Sequence, residues 1–432
     1  MKINIQKLLL NLIFPISVFI DLINGFCQFR LGISLPIGVL LRTFIIFLLF
    51  YSIQSVPSIL GKRYLKFIIV VYVFCMLLWM IRDLTTIQAA AFSVGIEINA
   101  FIRVIYLCLL IVYMSYFATD IKDIIEPIIV NYGFIIGLCI IFSFVTGFGQ
   151  NSYGENYGFG TKSFFIAGND IGITLLYSGV VTSIHLFSHY KTINFIKFIT
   201  IIAGCVLIGS RVGMLGAGLL LSLTMGYYIF FYKPVQKRAK IYKKLVTYIL
   251  IPIAIYGLVQ IVMLLISVFD QYTLDRMSLD SIGSARDNLI SCADRYIATL
   301  EGLSWAIGNG RSVFAGILAQ YMQTGLETKI AEADYHDMVG SYGYLYGWIL
   351  MIPYVIFVVQ SVKQYFRQPS YYNCCLVFIC ITFIFIGYNA GHCIANVMVA
   401  PIYAYAISQI ATTRNMINLI SVNRQDENIG DI

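Results

Sequence analysis

The sequence predicts an all-α polytopic membrane protein with about 12 transmembrane helices, and three observations carry that expectation. Hydrophobic residues make up 59% of 432 and charged residues only 12%, with a mean hydropathy of +0.83. That leaves too few polar side chains to cover a water-soluble body of this size. Apolar runs of roughly 17 to 24 residues recur from end to end, each long enough to cross roughly 30 Å of hydrocarbon as a helix. Basic residues concentrate in alternate connections, as the positive-inside bias requires.

The predicted spans are 8–25, 36–56, 64–82, 99–118, 126–147, 170–188, 193–210, 212–232, 246–269, 344–362, 371–388 and 391–411. Residues 84–98 (LTTIQAAAFSVGIEI) are too polar to span and are assigned to an interface. With the N-terminus inside, GKRYLK (61–66), HYKTINFIK (189–197), KPVQKRAKIYKK (233–244), KQYFR (363–367) and the C-terminal tail all fall in the cytoplasm. The exception is TDIKDIIE (119–126), inside but slightly acidic. The net charge of +8 is therefore a topology signal, and no stripe of Lys and Arg elsewhere suits a nucleic acid. The 10 cysteines lie mainly within spans. Cys292 is the clearest external thiol, and one thiol makes no disulfide framework. The first apolar segment reads as a span with a short charged lead, and no A-x-A cleavage pattern follows it.

Three regions follow: 1–269 with helices 1 to 9, a large extracytoplasmic loop at 270–343, and 344–432 with helices 10 to 12 and a cytoplasmic tail. A loop of that length needs helices of its own, and function is expected there. A smaller outer loop, 148–170, accompanies it. Within the large loop, residues 280–310 are predicted to form one helix capped by Ser284 with Asp287 and stopped by Gly308 and Gly310. Leu289, Ile290, Ala293, Ile297 and Leu300 supply its apolar face. Arg286 then falls in the first turn, where the helix dipole disfavours a cation and a bound anion would compensate. Pairing with Asp287, Asp270 or a headgroup would compensate equally. Arg211, in GCVLIGSRVGMLGAGLLL (204–221), lies between two apolar segments beside Gly209, Gly213 and Gly216. An arginine there costs several kcal/mol unless it snorkels, pairs or faces a cavity holding an anionic group.

The stretch AEADYHDMVGSYGYLYG (331–347) gathers Glu332, Asp334, His336 and Asp337 at the entrance to an apolar segment. A helix over 330–343 would stack Glu332 on His336 at i, i+4 and set Asp334 and Asp337 on a neighbouring face. Gly340, Gly343 and Gly347 form a small-residue edge. Tyr342, Tyr344 and Tyr346 are expected as interfacial anchors. Near the other end, Asn389, His392 and Asn396 in GYNAGHCIANVMVAP (387–401) form a polar strip. Glu332, Asp334 and His336 could offer hard metal ligands, but no ligand spacing, phosphate loop or dinucleotide fingerprint accompanies them, and no cofactor is expected. What remains is an outward cavity with arginines suited to a diphosphate and with carboxylates and a histidine suited to proton transfer. Glycosyl transfer from a lipid diphosphate needs that chemistry.

These pieces resemble the Wzy family of bacterial repeat-unit polymerases for O-antigen, capsule or exopolysaccharide, within the group that includes the O-antigen ligases. The resemblance rests on GSRVG (209–213), the SARDN helix running to GNG (284–310), AEADYHDMVGSYGYLYG (331–347) and AGHCIANVMVAP (390–401). Glu332, Asp334 and Asp337 match the family's acidic motif. Tyr342 with Gly343 and Gly347 match its Tyr-Gly element, and Gly391 with His392 its late Gly-His. The resemblance implies a GT-C-like, inverting, metal-independent transferase of the bacterial inner membrane, its site facing the periplasm. It would move a growing glycan from undecaprenyl diphosphate onto a new lipid-linked repeat unit, with membrane lipids, a chain-length regulator and a flippase as partners and no nucleic acid. Glu332, Asp334 and His336 are the implied catalytic candidates; Arg211, Arg286, Asp337, Tyr342 and His392 are the implied substrate-binding ones. The ligase branch carries His followed by Asn where this chain has His336 and Asp337. A flippase or transporter is the rival from another class.

Overall fold

The computed structural model describes residues 2–33, 35, 37–54, 60–85, 92–152, 159–188, 191–231, 281–322, 328–391 and 393–410. Among them, nine helices are long and apolar enough to cross a membrane, and Thr192–Leu207 is a shorter apolar helix. The protein is an all-α, multi-pass membrane protein. Side chains such as Leu40, Phe47, Val70 and Phe74 stand uncovered on its helices, as a lipid-facing surface requires. The predicted span 246–269 and the basic connection 233–244 lie outside the described residues.

The chain divides into two compact units, one of Met1–Tyr132 with Ser284–Ile432 and one of Gly133–Gly283. In the first, α1 (Lys2–Asn11) and α2 (Ser17–Arg30) are joined by a π turn at Leu12–Ile16. α3 (Ile37–Gln54) and α4 (Leu60–Thr85) follow, then α5 (Val94–Thr146), which continues into the second unit. α5 runs unbroken through residues 119–126, where a cytoplasmic connection was expected. That segment holds no glycine, and Ile121, Ile125 and Ile129 form a buried i, i+4 stripe that keeps it helical.

The second unit places a short hairpin, β1 (Gln150–Asn151) with β2 (Thr161–Ser163), between α5 and three helices: α6 (Gly168–Ser188), α7 (Thr192–Leu207) and α8 (Arg211–Gly226). α6 is the central helix, buried almost throughout. Small residues let its neighbours close in. A methyl group on Gly133 would sit 2.4 Å from the Ser178 Cβ, and one on Gly204 would sit 2.9 Å from the Gly137 Cα. Without a hydrophobic drive between helices in lipid, such close backbone packing supplies the attraction.

The rest of the first unit comprises α9 (Ser281–Ile297) from Ser284 on, α10 (Gly302–Ile307), α11 (Arg311–Tyr321), α12 (Asp334–Arg367), α13 (Tyr371–Ala390) and α14, residues 400–410. The expected single helix over 280–310 is two helices. It begins at Ser281, so Ser284 is not its cap and Arg286 lies beyond its first turn. It stops at Ile297, and α10 starts anew with a capping box of Glu301 and Ser304 beside Gly302 at φ +54. In the twelfth predicted span, 391–411, the described residues are helical only from residue 400. Gly391 at φ +66 ends α13, and the Asn396 Oδ1 accepts from the Met398 and Val399 N–H groups at 2.9 and 3.1 Å, holding a turn instead.

Proline shows how the interior pairs broken backbone. Pro353 lies inside α12, where its missing N–H leaves the Ile349 carbonyl without the usual partner four residues on. The Tyr64 hydroxyl of α4 donates to that carbonyl at 2.6 Å. Tyr64→Phe should therefore lower the melting temperature, at a cost of about 1 kcal/mol. In a Pro353→Ala background, where the intrahelical donor returns, the same change should be close to neutral. Thermal unfolding of the four proteins in detergent checks the cycle.

Candidate functional site

The residues of interest in the first unit meet at one end of its membrane helices, around a break in α12. Gly343 has φ +73 and ψ 176, so the helix is two pieces joined at that residue. The turn Gly308-Asn309-Gly310 fills the break. The Gly310 N–H donates to the Ser341 carbonyl at 2.9 Å, and a methyl on Gly308 would sit 2.2 Å from the same oxygen. Gly308 and Gly310 both hold positive φ, which side chains other than glycine rarely adopt.

Three elements pin that turn. The Trp79 indole of α4 donates to the Gly308 carbonyl at 3.1 Å. Arg82, one turn on, donates to the Asn309 amide oxygen, and the Asn309 amide nitrogen donates to the Tyr296 hydroxyl of α9 at 2.9 Å. Burial pushes the Tyr296 phenol up to about 12, the Asn309 hydrogen bond and the Arg82 charge opposing it, so it is a neutral hydroxyl at physiological pH. From the start of α5, Glu97 is fully buried and accepts from the Ser312 N–H at 2.6 Å and the Ser312 hydroxyl at 2.8 Å. It thereby satisfies donors that the first turn of α11 leaves open.

The opening of α12 is equally bound. Glu332 has φ +57 and lies outside the helix, which begins at Asp334. The expected stacking of Glu332 on His336 does not occur, because the left-handed Glu332 backbone turns the chain before the helix starts; Glu332 pairs with Lys329 at 3.3 Å. Asp334 and Asp337 do share the first turn, but each binds backbone. The Asp334 Oδ2 accepts from the Cys393 and Ile394 N–H groups at 2.9 and 3.0 Å, tying α12 to the turn after α13. The Asp337 Oδ1 accepts from the Ala331 N–H at 2.9 Å and lies 3.3 Å from the Arg311 Nη1. His336 is buried and its Nε2 lies 3.2 Å from the Oδ1 of Asp294, whose side chain is 60% exposed. Glu332, Asp334 and His336 thus engage three different partners and do not converge as a ligand set.

Tyr342 is buried among Trp79, Tyr72 and Tyr346, with ring centroids 5.9 to 6.2 Å away. Tyr342 and Tyr346 are core residues, contrary to the expected interfacial anchoring, because the break at Gly343 turns both inward; Tyr344 is half-buried against Trp305. Gly340 meets the Phe314 ring, as the small-residue edge predicts. Arg286 is helical in α9, its side chain outside the described residues, and His392 lies outside them altogether. Arg211, in the second unit, is the first residue of α8, with Ser210 capping the helix by accepting from the Gly213 N–H. Gly209 at φ +69 packs on Phe159 and Gly160 of the hairpin. In that hairpin Lys162 donates to the Ile166 carbonyl at 3.1 Å, and burial pulls its ammonium below the usual lysine range.

Asp294, Glu97, Arg82 and Arg311 escaped the sequence reading. A lone acid in the apolar run VGIEINAF marks Glu97. Arg82 and Arg311 stand against the positive-inside bias, and that is the signal they give. Compared with models of known protein families and with curated protein sequences, the chain gives no match.

Asp334→Ala leaves two buried N–H groups unpaired, at about 1–3 kcal/mol each, and should sharply reduce the folded, detergent-stable fraction. Asp334→Asn keeps an acceptor oxygen and should lose much less. Glu97→Ala and Glu97→Gln should show the same ordering. Size-exclusion profiles and melting temperatures of the four variants read it out.

Proposed function

We propose that the protein is a membrane glycosyltransferase that polymerises lipid-diphosphate-linked oligosaccharide repeat units, GT-C-like in fold class and resident in a bacterial inner membrane with its site on the periplasmic side. The observation that carries this reading is the buried His336 facing the exposed Asp294 at the end of the membrane helices, beside a packed cluster of guanidiniums and carboxylates. A carboxylate open to water at that level can accept a proton from a hydroxyl carried by a lipid-anchored substrate. The basic loops support the sidedness. With the basic segments of the same unit inside, 61–66 at the start of α4 and 363–367 at the end of α12, the cluster at the other ends of those helices is proposed to face outward, where a lipid-linked saccharide is presented for extension.

The chemistry asks for two things. The acceptor hydroxyl loses its proton as it attacks the anomeric carbon, and the departing undecaprenyl diphosphate needs positive charge to receive it. Arg211, at the N-terminus of α8, and Arg286, on α9, are the residues proposed to bind anionic substrate groups, as planar guanidiniums suit phosphate oxygens. Asp337 holds Arg311 in place, Tyr342 anchors the broken helix, and His392 is proposed to contact substrate. Cleavage of the bond between the anomeric carbon and the lipid diphosphate drives transfer, so no nucleotide is consumed. A chain-length regulator and a flippase are its proposed partners.

Reconstitution of the purified protein with undecaprenyl-diphosphate-linked repeat unit tests the reading. A ladder of multi-repeat glycan is expected. Transfer only when lipid A core is supplied would make it a ligase, and movement between leaflets without new bonds a flippase. Arg211→Ala and Arg286→Ala should each cut chain extension at least tenfold while leaving protein in the membrane.

A further inference from the structure

We infer that Asp294, His336 and the rings of Tyr335, Trp348 and Tyr388 form a saccharide subsite in which Asp294 takes the proton of the attacking hydroxyl. The assignment of that proton rests on the polymerase reading; the binding of sugar does not.

The carboxylates divide by what already binds them. Asp334 accepts two backbone N–H groups, Asp337 accepts one and pairs with Arg311, Glu97 is sealed against Ser312, and Glu332 pairs with Lys329. Removing a proton from a hydroxyl requires a carboxylate oxygen that solvent or substrate can reach. Asp294 is 60% exposed, and His336 is its polar partner among the described residues. His336 is 5% exposed, and its other ring nitrogen, Nδ1, is buried with no hydrogen-bond partner among them. A buried imidazole whose polar contact is one exposed carboxylate orients that carboxylate, which makes His336 a positioning residue.

The rings supply the second observation. Tyr335 meets the His336 ring edge-on at 5.1 Å, and Tyr388 at the end of α13 lies 6.1 Å from His336 and 6.2 Å from Tyr335. Trp348 lies 6.0 Å from Tyr335. In a straight helix residues 335 and 348 would be about 20 Å apart along the axis. The break at Gly343 folds α12 back, with Gly347 against the Met338 carbonyl, and so brings Trp348 to the site. Trp348 and Tyr388 remain 42% and 54% exposed. Exposed π faces beside a carboxylate suit a pyranose, whose C–H face lies on the negative face of a ring while its hydroxyls reach the oxygen.

In the step, the acceptor oxygen bonds to the anomeric carbon while its proton passes to Asp294. The bond from that carbon to the diphosphate oxygen breaks with its electron pair on the oxygen, and lipid diphosphate leaves. Asp294 then returns the proton to water.

The test uses the full chain in liposomes with lipid-diphosphate-linked repeat unit extracted from the cells that make the protein, and the free oligosaccharide released from it by mild acid. Asp294→Asn should lower kcat at least about 100-fold with KM little changed, and Asp294→Glu should recover part of it. Trp348→Ala and Tyr388→Ala should raise KM for the acceptor about tenfold with kcat kept, the Phe variants restoring it. His336→Gln, which keeps an N–H toward Asp294, should retain more kcat than His336→Ala. In a Trp305→Phe background the free oligosaccharide should quench tryptophan fluorescence, also with Asp294→Asn, and the quench should vanish with Trp348→Phe. Full kcat in Asp294→Asn alongside a polymerising wild type overturns the proton assignment alone. A quench given by undecaprenyl phosphate and not by the oligosaccharide overturns the subsite, leaving the rings as a lipid contact. A wild type that makes no polymer yet binds the oligosaccharide at Trp348 fails the polymerase reading and keeps the sugar site.

Discussion

Everything in the first unit follows from one constraint: a backbone polar group at or below the membrane surface must find a partner, because hydrocarbon offers none. Regular helix meets it internally. Where this chain abandons regular helix, at Gly343, at 308–310, at Gly391 and at 393–399, a side chain arrives to pair the exposed groups. The Asp334 carboxylate takes two N–H groups after Gly391, Glu97 takes Ser312, Asn396 takes two more, and Trp79 and Tyr64 supply donors for stranded carbonyls. The ionisable residues of a charge-poor chain cluster there because the broken backbone needs them there.

The break in α12 is useful as well as costly. It lets Tyr342 and Tyr346 turn inward onto Trp79 and Tyr72, giving this end of the unit an aromatic core in place of lipid contacts. It also doubles the chain back so that the first turn, with Asp334, His336 and Asp337, and the residues after the break lie side by side. A straight helix could place a histidine near an acid four residues away, but could not set Tyr335 beside Trp348, thirteen residues on. Local strain at one glycine is thus converted into a fixed arrangement of groups from distant sequence.

Much of this fold was legible from hydropathy and loop charge, since spans such as 36–56, 170–188 and 371–388 coincide closely with Ile37–Gln54, Gly168–Ser188 and Tyr371–Asn389. Periodicity could not show where a polar helix starts. Asp287 three residues after Ser284 imitates a capping box, yet α9 was already helical from Ser281. Nor could spacing reveal that Glu332 adopts a left-handed backbone, which removes it from the helix that would have stacked it on His336. For the site, composition marks the stretch 331–347, but it does not show which groups its side chains meet. Asp334 and Asp337 stand out by composition, but their oxygens are bound to backbone from residues that sequence distance hides, Cys393 and Ala331. Nothing in the sequence separates Asp294 from an ordinary solvated acid on a helix, because its partner lies 42 residues away on another element.

An exposed carboxylate such as that of Asp294 is normally a poorly fixed one. Side-chain freedom and helix rotation both blur it, and a blurred base is a weak catalyst. α9 avoids this by being gripped at three successive residues. Asp294 faces His336 of α12, the Arg295 guanidinium lies 4.4 Å from the centre of the Tyr321 ring at the end of α11, and the Tyr296 hydroxyl accepts from Asn309. Consecutive residues of a helix project about 100° apart, so three such contacts span roughly 200° of its circumference. A helix held over that arc cannot roll without breaking one of them. The carboxylate therefore stays open to water while its direction is set by the frame beneath it, and that frame is the same set of backbone-satisfying contacts that closes the broken end of the bundle.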